Sequence, residues 1–331
     1  MTEARLDVLA IGNAIVDVIS AADDAFIEAE GLRKGSMRLI DAAEAKRLYD
    51  RMGQAREISG GSGANTVAGV AALGGKAGFV GQVSEDQLGE VFAHDIRAAG
   101  VEFETKPTDF GVPTARCLVL VTPDAQRTMN TFLGASQRLP AEALDPKQIE
   151  DSAVLYLEGY MWDPEEPRRT MLQAVEIARA AKRKVALTLS DVFVIERHRD
   201  GLMGLIDNGF IDILFANEAE LTALSQSDTF DSAVDAIADK VETLVVTRSE
   251  KGAIAVEDKQ RYEVAAEPVA EVVDTTGAGD LFAAGFLVGY RQQRSLEQCL
   301  RMGAIAAAEV ISHYGARTEA DLQALVARKL S

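Results

Sequence analysis

The sequence predicts an α/β protein with a mostly parallel sheet covered by helices on both faces and a small second β-sheet built onto it. Three observations carry this. Short apolar runs alternate with amphipathic segments along most of the chain, the pattern of parallel strands that cross over through helices. The interval 104–134 interrupts the alternation with two β-like runs around a turn, which reads as an inserted hairpin. The chain shows no internal repeat, low-complexity stretch or Pro/Ser-rich linker. At about 150 residues per domain, 331 residues make two units, or one large α/β domain with an attachment.

The elements follow in order. Leu6–Ile11 is an apolar run ending at Gly12-Asn13, a buried strand leading into a loop. Ala42, Ala45, Leu48 and Met52 recur at helical spacing, with Asp41 placed to cap them. The glycine-dense turn 59–65 opens a small-residue helix over Val67–Leu73; Ala77–Gly81 is a strand and Gly89–Ala99 a helix. Arg116–Thr122 and Arg127–Leu133 are the arms of the hairpin, turning at Pro123-Asp124-Ala125-Gln126. Further strands are expected at Val154–Leu157, Val185–Leu189, Ile211–Ala216 and Thr243–Thr247. Helices are expected at Arg168–Ala181, Asp200–Asn208, Glu218–Leu224 and Phe230–Lys240.

Composition removes several function classes. Hydrophobic residues at 47% and charged residues at 26% are ordinary for a folded globular protein. With 34 Lys+Arg against 52 Asp+Glu the net charge is −18. Such a surface repels phosphodiester backbones, and no basic patch offsets it beyond the short Lys182–Lys184 group, so nucleic acid is not an expected partner. A small phosphorylated substrate stays open, because backbone amides and one or two Arg bind phosphate inside an acidic protein. Cys117 and Cys299 match no metal or redox spacing and read as buried reduced thiols. His94, His198 and His313 are isolated, which leaves no zinc motif and no Ser–His or Cys–His nucleophile. The opening residues, with Glu3, Arg5 and Asp7, are not a signal peptide, and no apolar stretch is long enough to span a membrane. A cytoplasmic location is the expectation.

The most informative stretch is Val272–Gly285, where an apolar segment, expected as a strand, meets Gly277-Ala278-Gly279 and a helix of small and apolar residues. A glycine loop at a helix N-terminus offers free amides and the positive end of the helix dipole to an anion. Asp280, one turn in, repels a bound phosphate unless it has a task. Taking the proton from a hydroxyl that attacks the phosphate is such a task. A second reading, an Asp helix cap with glycines kept for packing, stays open on spacing alone. Other nucleotide motifs are missing: Gly75-Lys76 lacks the upstream glycine of a P-loop, and Gly61-Ser62-Gly63 lacks the third glycine of a dinucleotide fingerprint.

Asp274-Thr275-Thr276-Gly277-Ala278-Gly279-Asp280 resembles the C-terminal signature of the ribokinase-like (PfkB) carbohydrate kinase family. Gly60–Asn65 resembles its N-terminal signature and Asn217-Glu218-Ala219-Glu220 its Asn-x-x-Glu motif. The three motifs stand in order, and the resemblance covers essentially the whole chain. Within the family, the Gly-Asn-x-x-x-Asp spacing of Gly12–Asp17 and the stretches 188–195 and 211–218 are similar to adenosine-phosphorylating members. The resemblance implies a three-layer αβα domain from residues 1–12, 61–103 and 135–331, with a discontinuous β-sheet lid from 13–60 and 104–134. It also implies transfer of phosphate from ATP to the 5′-hydroxyl of a nucleoside, adenosine first, with Mg²⁺.

The roles it implies are these. Asp17 and Asn13 bind the ribose hydroxyls, with Gly61 and Asn65 completing the sugar site. Asp280 is the base, and the amides of Gly277, Ala278 and Gly279 form the anion hole. Asn217 and Glu220 hold Mg²⁺ through water, and Asn217 and Thr247 attend ATP. Arg127 closes on the phosphates from the hairpin. Asp274 and Thr276 help hold a monovalent cation such as K⁺. Phe132, Leu133, Gly134 and Met161 fall at base-contacting positions, with plain packing as the other reading of each; the sole Trp, Trp162, reads as packing. Ser249 stands where the family commonly has Gly, which weakens the Thr247 assignment. A sugar kinase acting on ribose or fructose, an inosine/guanosine kinase, and a silent nucleoside- or sugar-binding protein are the alternatives. Asp280 argues against the last. Monomer and homodimer are both open.

Overall fold

Leu6–Ile11 forms β1, the strand around which the larger of two sheets is built. The structure, a computed structural model, describes residues 4–109, 111–124 and 126–330. Glu3 and Ala125, both used in the sequence reading, lie outside them. From β1 the chain continues through β2 (Ile15–Ala21), α1 (Asp24–Ala29), β3 (Met37–Leu39), α2 (Ala42–Arg51), β4 (Ala55–Gly60) and α3 (Ser62–Ala72). β5 (Ala77–Val80), α4 (Gln87–Ala98), β6 (Val101–Phe103), β7 (Ala115–Val121), β8 (Arg127–Phe132), α5 (Pro146–Glu150) and β9 (Ser152–Glu158) come next. Then follow α6 (Glu165–Ala180), β10 (Lys184–Thr188), α7 (Val192–Asp207), β11 (Ile213–Asn217), α8 (Glu218–Ser225), α9 (Phe230–Ala238) and β12 (Thr243–Thr247). The chain closes with β13 (Ala253–Glu257), β14 (Gln260–Val264), α10 (Ala278–Arg291), α11 (Leu296–Val310) and α12 (Leu322–Leu330).

The large sheet has the order β14-β13-β12-β11-β10-β9-β1-β5-β6 and is parallel except for the antiparallel edge pair β13 and β14. Alternate residues of one strand enter opposite cores. Val8, Ala10, Val154 and Tyr156 belong to one buried cluster, and Leu9, Ile11, Leu155 and Leu157 to the other. That is why these strands read as continuous apolar runs: both faces are covered.

The small sheet has the order β3-β8-β7-β2-β4. β7 and β8 form the expected hairpin. β2 and β4 extend it, where the sequence reading placed a loop and a turn. β2 alternates buried and half-buried residues, the period-2 signature of a strand with one covered face. Val16 and Val18 join the core with Leu48 of α2. Asp17 points to the other face, in register with Cys117 and Ile58. β4 runs through Gly60 directly into α3, so the glycine-dense turn shrinks to Gly61 alone. Asp41 caps α2 as expected, accepting from the Glu44 amide. α7 begins at Val192 rather than Asp200 and kinks at His198, where φ is −129°.

Candidate active site

α10 is buried from Leu281 to Gly289 and packs against α3 and α11. The apolar segment before it is not a strand. Its Val273 and Asp274 amides both reach the Ile311 carbonyl at the end of α11. The helix cap, Gly277, has φ +79°, and a Cβ there lies 2.7 Å from the Ala316 Cβ, so only glycine makes this corner. The Ala278 amide donates to the Thr275 carbonyl at 3.2 Å. Among the described residues the Gly277 and Gly279 amides have no partner. The anion hole expected from three amides is thus open at two, backed by the helix dipole.

Asp280 stands beside those amides. Its Oδ1 accepts from Ser62 Oγ at 2.6 Å and its Oδ2 from Asn65 Nδ2 at 3.0 Å. Burial raises the Asp280 pKa, while Ser62, Asn65 and the Arg317 charge oppose the rise. A carboxylate held in place and made more basic by its surroundings is suited to general-base work. Asn65 Oδ1 is buried without a partner, an acceptor waiting for a donor.

Asp17 shares this electrostatic neighbourhood. Burial pushes its pKa up to about 6, against Arg127 and Arg317, with Asp274 and Asp280 adding to the rise. Among the described residues no donor hydrogen-bonds its carboxylate. Gly60 makes room for it: a Cβ on Gly60 lies 2.5 Å from Asp17 Oδ2. Gly61, at φ +99°, lets the chain pass the Asn13 carbonyl, which a Cβ approaches to 2.1 Å. Asn13 itself is anchored by Glu158, whose Oε1 accepts from Asn13 Nδ2 at 2.5 Å. The Glu158 Oε2 accepts from the amides of Gly63 at 2.7 Å and Asn13 at 3.2 Å. Burial pushes the Glu158 pKa up to about 7 against those three donors.

Two cavities meet at the corner. One, about 340 Å³, is lined by Ser62, Tyr160, Asn217, Glu220, Thr247 and Gly277 through Asp280, among others. The second, about 520 Å³, is mostly apolar, with Val269, Ala304, Ala308 and Ile311 in its walls. Thr247, Thr275, Ala278, Gly279 and Phe282 line both. Ser249 adopts φ +51°, the left-handed geometry that makes glycine the commoner residue at such a turn. The loop folds with Ser there, and Thr247 lines the crevice.

Asn217 and Glu220 form a reciprocal helix cap. Asn217 Oδ1 accepts from the Glu220 amide, and the Glu220 carboxylate accepts from both the amide and the Nδ2 of Asn217. Burial pushes the Glu220 pKa up to about 7, with the Asp191 charge adding to it and the Asn217 amide opposing. Both carboxylate oxygens are engaged, so the pair fits a cation held through water and not one bound directly. Among the described residues no group of three or more His, Cys, Asp or Glu could hold a metal ion.

Arg127 lies on Asp274: its guanidinium donates to Asp274 Oδ2 and, at 2.6 Å, to Thr276 Oγ1. The Thr276 and Gly315 amides also reach the Asp274 carboxylate. Burial works to raise the Asp274 pKa, yet these donors hold it below the usual carboxylate range. The two residues expected beside K⁺ are both engaged by Arg127 in this arrangement. Arg127 Nε is buried and unpartnered.

The base-side expectations fare differently. Met161 is fully buried in the core that also contains Leu157, Leu189 and Trp162. It has no surface to offer a ligand, and Tyr160 is the crevice residue at that corner. Trp162 is packing, as expected, with Gly201 close against its ring. Phe132 is buried at the end of β8 with the Arg116 guanidinium 6.0 Å from its ring centre. Gly134 makes a φ +46° turn under the Pro113 carbonyl. Glu158, Tyr160 and Arg317 escaped the sequence reading, since none belongs to a motif and each acts through tertiary contacts.

A basic, positioned carboxylate beside open amides at a helix start, between two joined cavities, is the equipment of an enzyme that transfers a phosphoryl group to an alcohol. A family model described as pfkB family carbohydrate kinase matches residues 7–323. The structure of adenosine kinase from Sinorhizobium meliloti is 48% identical, covers 99% of this chain and 100% of its own, and superposes with a TM-score of 0.91. That of a probable sugar kinase protein from Rhizobium etli CFN 42 is 47% identical, covering 98% and 99%, also at 0.91. Adenosine kinase 2 of Arabidopsis thaliana is 28% identical over 338 residues, 93% of this chain and 94% of that protein. The chain belongs to the pfkB family of carbohydrate kinases, and it is an ATP-dependent kinase with an alcohol group as acceptor. Among the described residues no helix is long and apolar enough to cross a membrane.

Proposed function

We propose that the protein phosphorylates the 5′-hydroxyl of adenosine, yielding AMP, in the cytoplasm. The observation that carries this is Asp280: both of its oxygens are aimed by Ser62 and Asn65 beside the open Gly277 and Gly279 amides. The near-half identity to the Sinorhizobium adenosine kinase over the whole chain supports the choice of nucleoside.

Asp17, to which no described residue donates, accepts from the ribose hydroxyls, and Asn13 is held on the Glu158 anchor. Asn65 Oδ1 takes a further substrate donor. Asp280 removes the 5′-hydroxyl proton as the oxygen attacks the terminal phosphorus of ATP. The bond between that phosphorus and the β–γ bridging oxygen breaks, and ADP leaves with the electron pair. Gly277 and Gly279 meet the charge on the equatorial oxygens; one such donor is worth roughly 2.7–4 kcal/mol in comparable sites. The apolar cavity beyond Thr247 suits the base of ATP. Asn217 and Glu220 would hold, through water, a Mg²⁺ ion bound to the phosphates, which would supply charge compensation there. Segments 13–60 and 104–134 act as the lid, and Arg127 exchanges Asp274 for the phosphates as it closes, which excludes water from the reaction.

A sugar kinase is the second reading, favoured by the equal likeness to the Rhizobium protein. A panel of adenosine, inosine, guanosine, ribose and fructose with ATP and Mg²⁺ decides: adenosine is expected to give the highest kcat/KM. Faster phosphorylation of ribose or fructose overturns the nucleoside assignment.

A further inference from the structure

The segment after α11 does three things at once. Gly315 donates its amide to Asp274, Ala316 packs against Gly277, and Arg317 reaches under the cleft. Arg317 Nη1 donates to the Ala64 carbonyl at 3.1 Å. Its Nη2 donates to the Ser59 carbonyl at 2.9 Å and to Ser59 Oγ at 2.8 Å. Ala64 precedes Asn65, which holds Asp280, and Ser59 precedes Gly60, which frames Asp17. Ser59 in turn donates its amide and hydroxyl to Asp95 of α4, at 2.8 and 2.6 Å. One guanidinium fork thus bridges the end of β4 and the first turn of α3, the two elements that flank both functional carboxylates. A lysine has no such fork.

We propose that Arg317 is a positioning residue for phosphoryl transfer, a fixed positive charge that ties the end of β4 to the first turn of α3, one residue from Gly60 and one from Asn65. The proposal rests on the kinase reading above. The other titratable groups on which the Asp280 charge acts are Asp17 from β2, Tyr156 and Glu158 from β9, and Tyr160 just beyond it. None is a cation. Arg127 acts on Asp17, and Arg317 is the positive charge that bears on Asp280. Asp95, Asp17 and Asp280 support the charge on Arg317 against burial, and a guanidinium does not deprotonate in a protein.

The test is the pH dependence of kcat, read at saturating nucleoside and ATP so that Asp17 is already engaged, for Arg317→Gln and Arg317→Lys beside the wild type. Removing the charge in Arg317→Gln moves the acid limb up by about half to one pH unit and lowers kcat. Arg317→Lys, which keeps the charge and loses the fork, lowers kcat but leaves the acid limb near its wild-type position. An unmoved acid limb in Arg317→Gln, or an equal shift in both variants, makes the residue merely structural and overturns the proposal. Should Arg317→Gln fail to fold, Arg317→Lys decides: a lowered kcat with an unmoved acid limb supports the positioning role of the fork, and an unchanged kcat overturns it. Wild-type turnover of the substrate panel, measured first, separates a failure of this inference from a failure of the kinase reading.

Discussion

At the anion corner both oxygens of Asp280 have protein donors, whereas on β2 of the five-stranded sheet Asp17 has none among the described residues. The corner is carried by a helix buried between two others; β2 belongs to a sheet, and only its Val16 and Val18 face enters the core. The reacting end of the site is therefore assembled before any ligand arrives, and the recognition end is completed by the ligand. Preassembly serves the step in which charge develops, because donors already in place need no reorganisation. An unsatisfied carboxylate serves selection, because only a ligand with matching hydroxyls relieves it.

The contrast breaks most visibly at Asp280. Asp280→Asn should lower kcat by about 10²–10⁴ while nucleoside binding persists, measured by steady-state kinetics and calorimetry. A loss below tenfold would remove Asp280 as the base. At the other end, Asp17→Ala should weaken nucleoside binding by roughly 10–100-fold, the worth of a hydrogen bond to a charged group. Unchanged affinity in titration calorimetry would count against the sugar site.

Acid sharpens the comparison. The free Asp17 carboxyl titrates near 6, and hydroxyls donating to it favour the ionised form, so binding below that pH must first expel a proton. Nucleoside affinity should hold above pH 6 and fall by up to about tenfold per unit below it. A flat profile in calorimetry, or one that persists in Asp17→Asn, would assign the titration elsewhere. The smallest effect is expected at Met161. Met161→Leu should cost under about 1.5 kcal/mol of stability by denaturant titration and leave substrate preference unchanged. Altered preference would return Met161 to the pocket.

How much of this the sequence held depends on how far each residue's task is local. Gly277, Gly61 and Ser249 declare themselves because a left-handed or crowded backbone constrains the residue type at that one position. Asp280, Asn65 and Asn217 sit inside such motifs and are found with them. β2 shows period-2 burial over Ile15–Ala21, but Ile15 and Ile19 put apolar residues on its half-buried face as well, so the sequence carries no apolar–polar alternation to read. The helical spacing of α11 went unread beside the stronger signature before it. Glu158, Tyr160 and Arg317 could not be read, because each draws its meaning from chain segments far off in sequence. Arg127 belongs to the hairpin as expected, but its attachment to Asp274 and Thr276 is a tertiary fact that no local pattern encodes.

A crystal structure with adenosine and a non-hydrolysable ATP analogue tests the central claim most directly. The 5′-oxygen should lie about 2.6–3.2 Å from an Asp280 oxygen, with the terminal phosphate against the Gly277 and Gly279 amides and the ribose hydroxyls on Asp17. A nucleoside bound with its 5′-oxygen away from Asp280, or a phosphate seated elsewhere than the Gly277 corner, would contradict it.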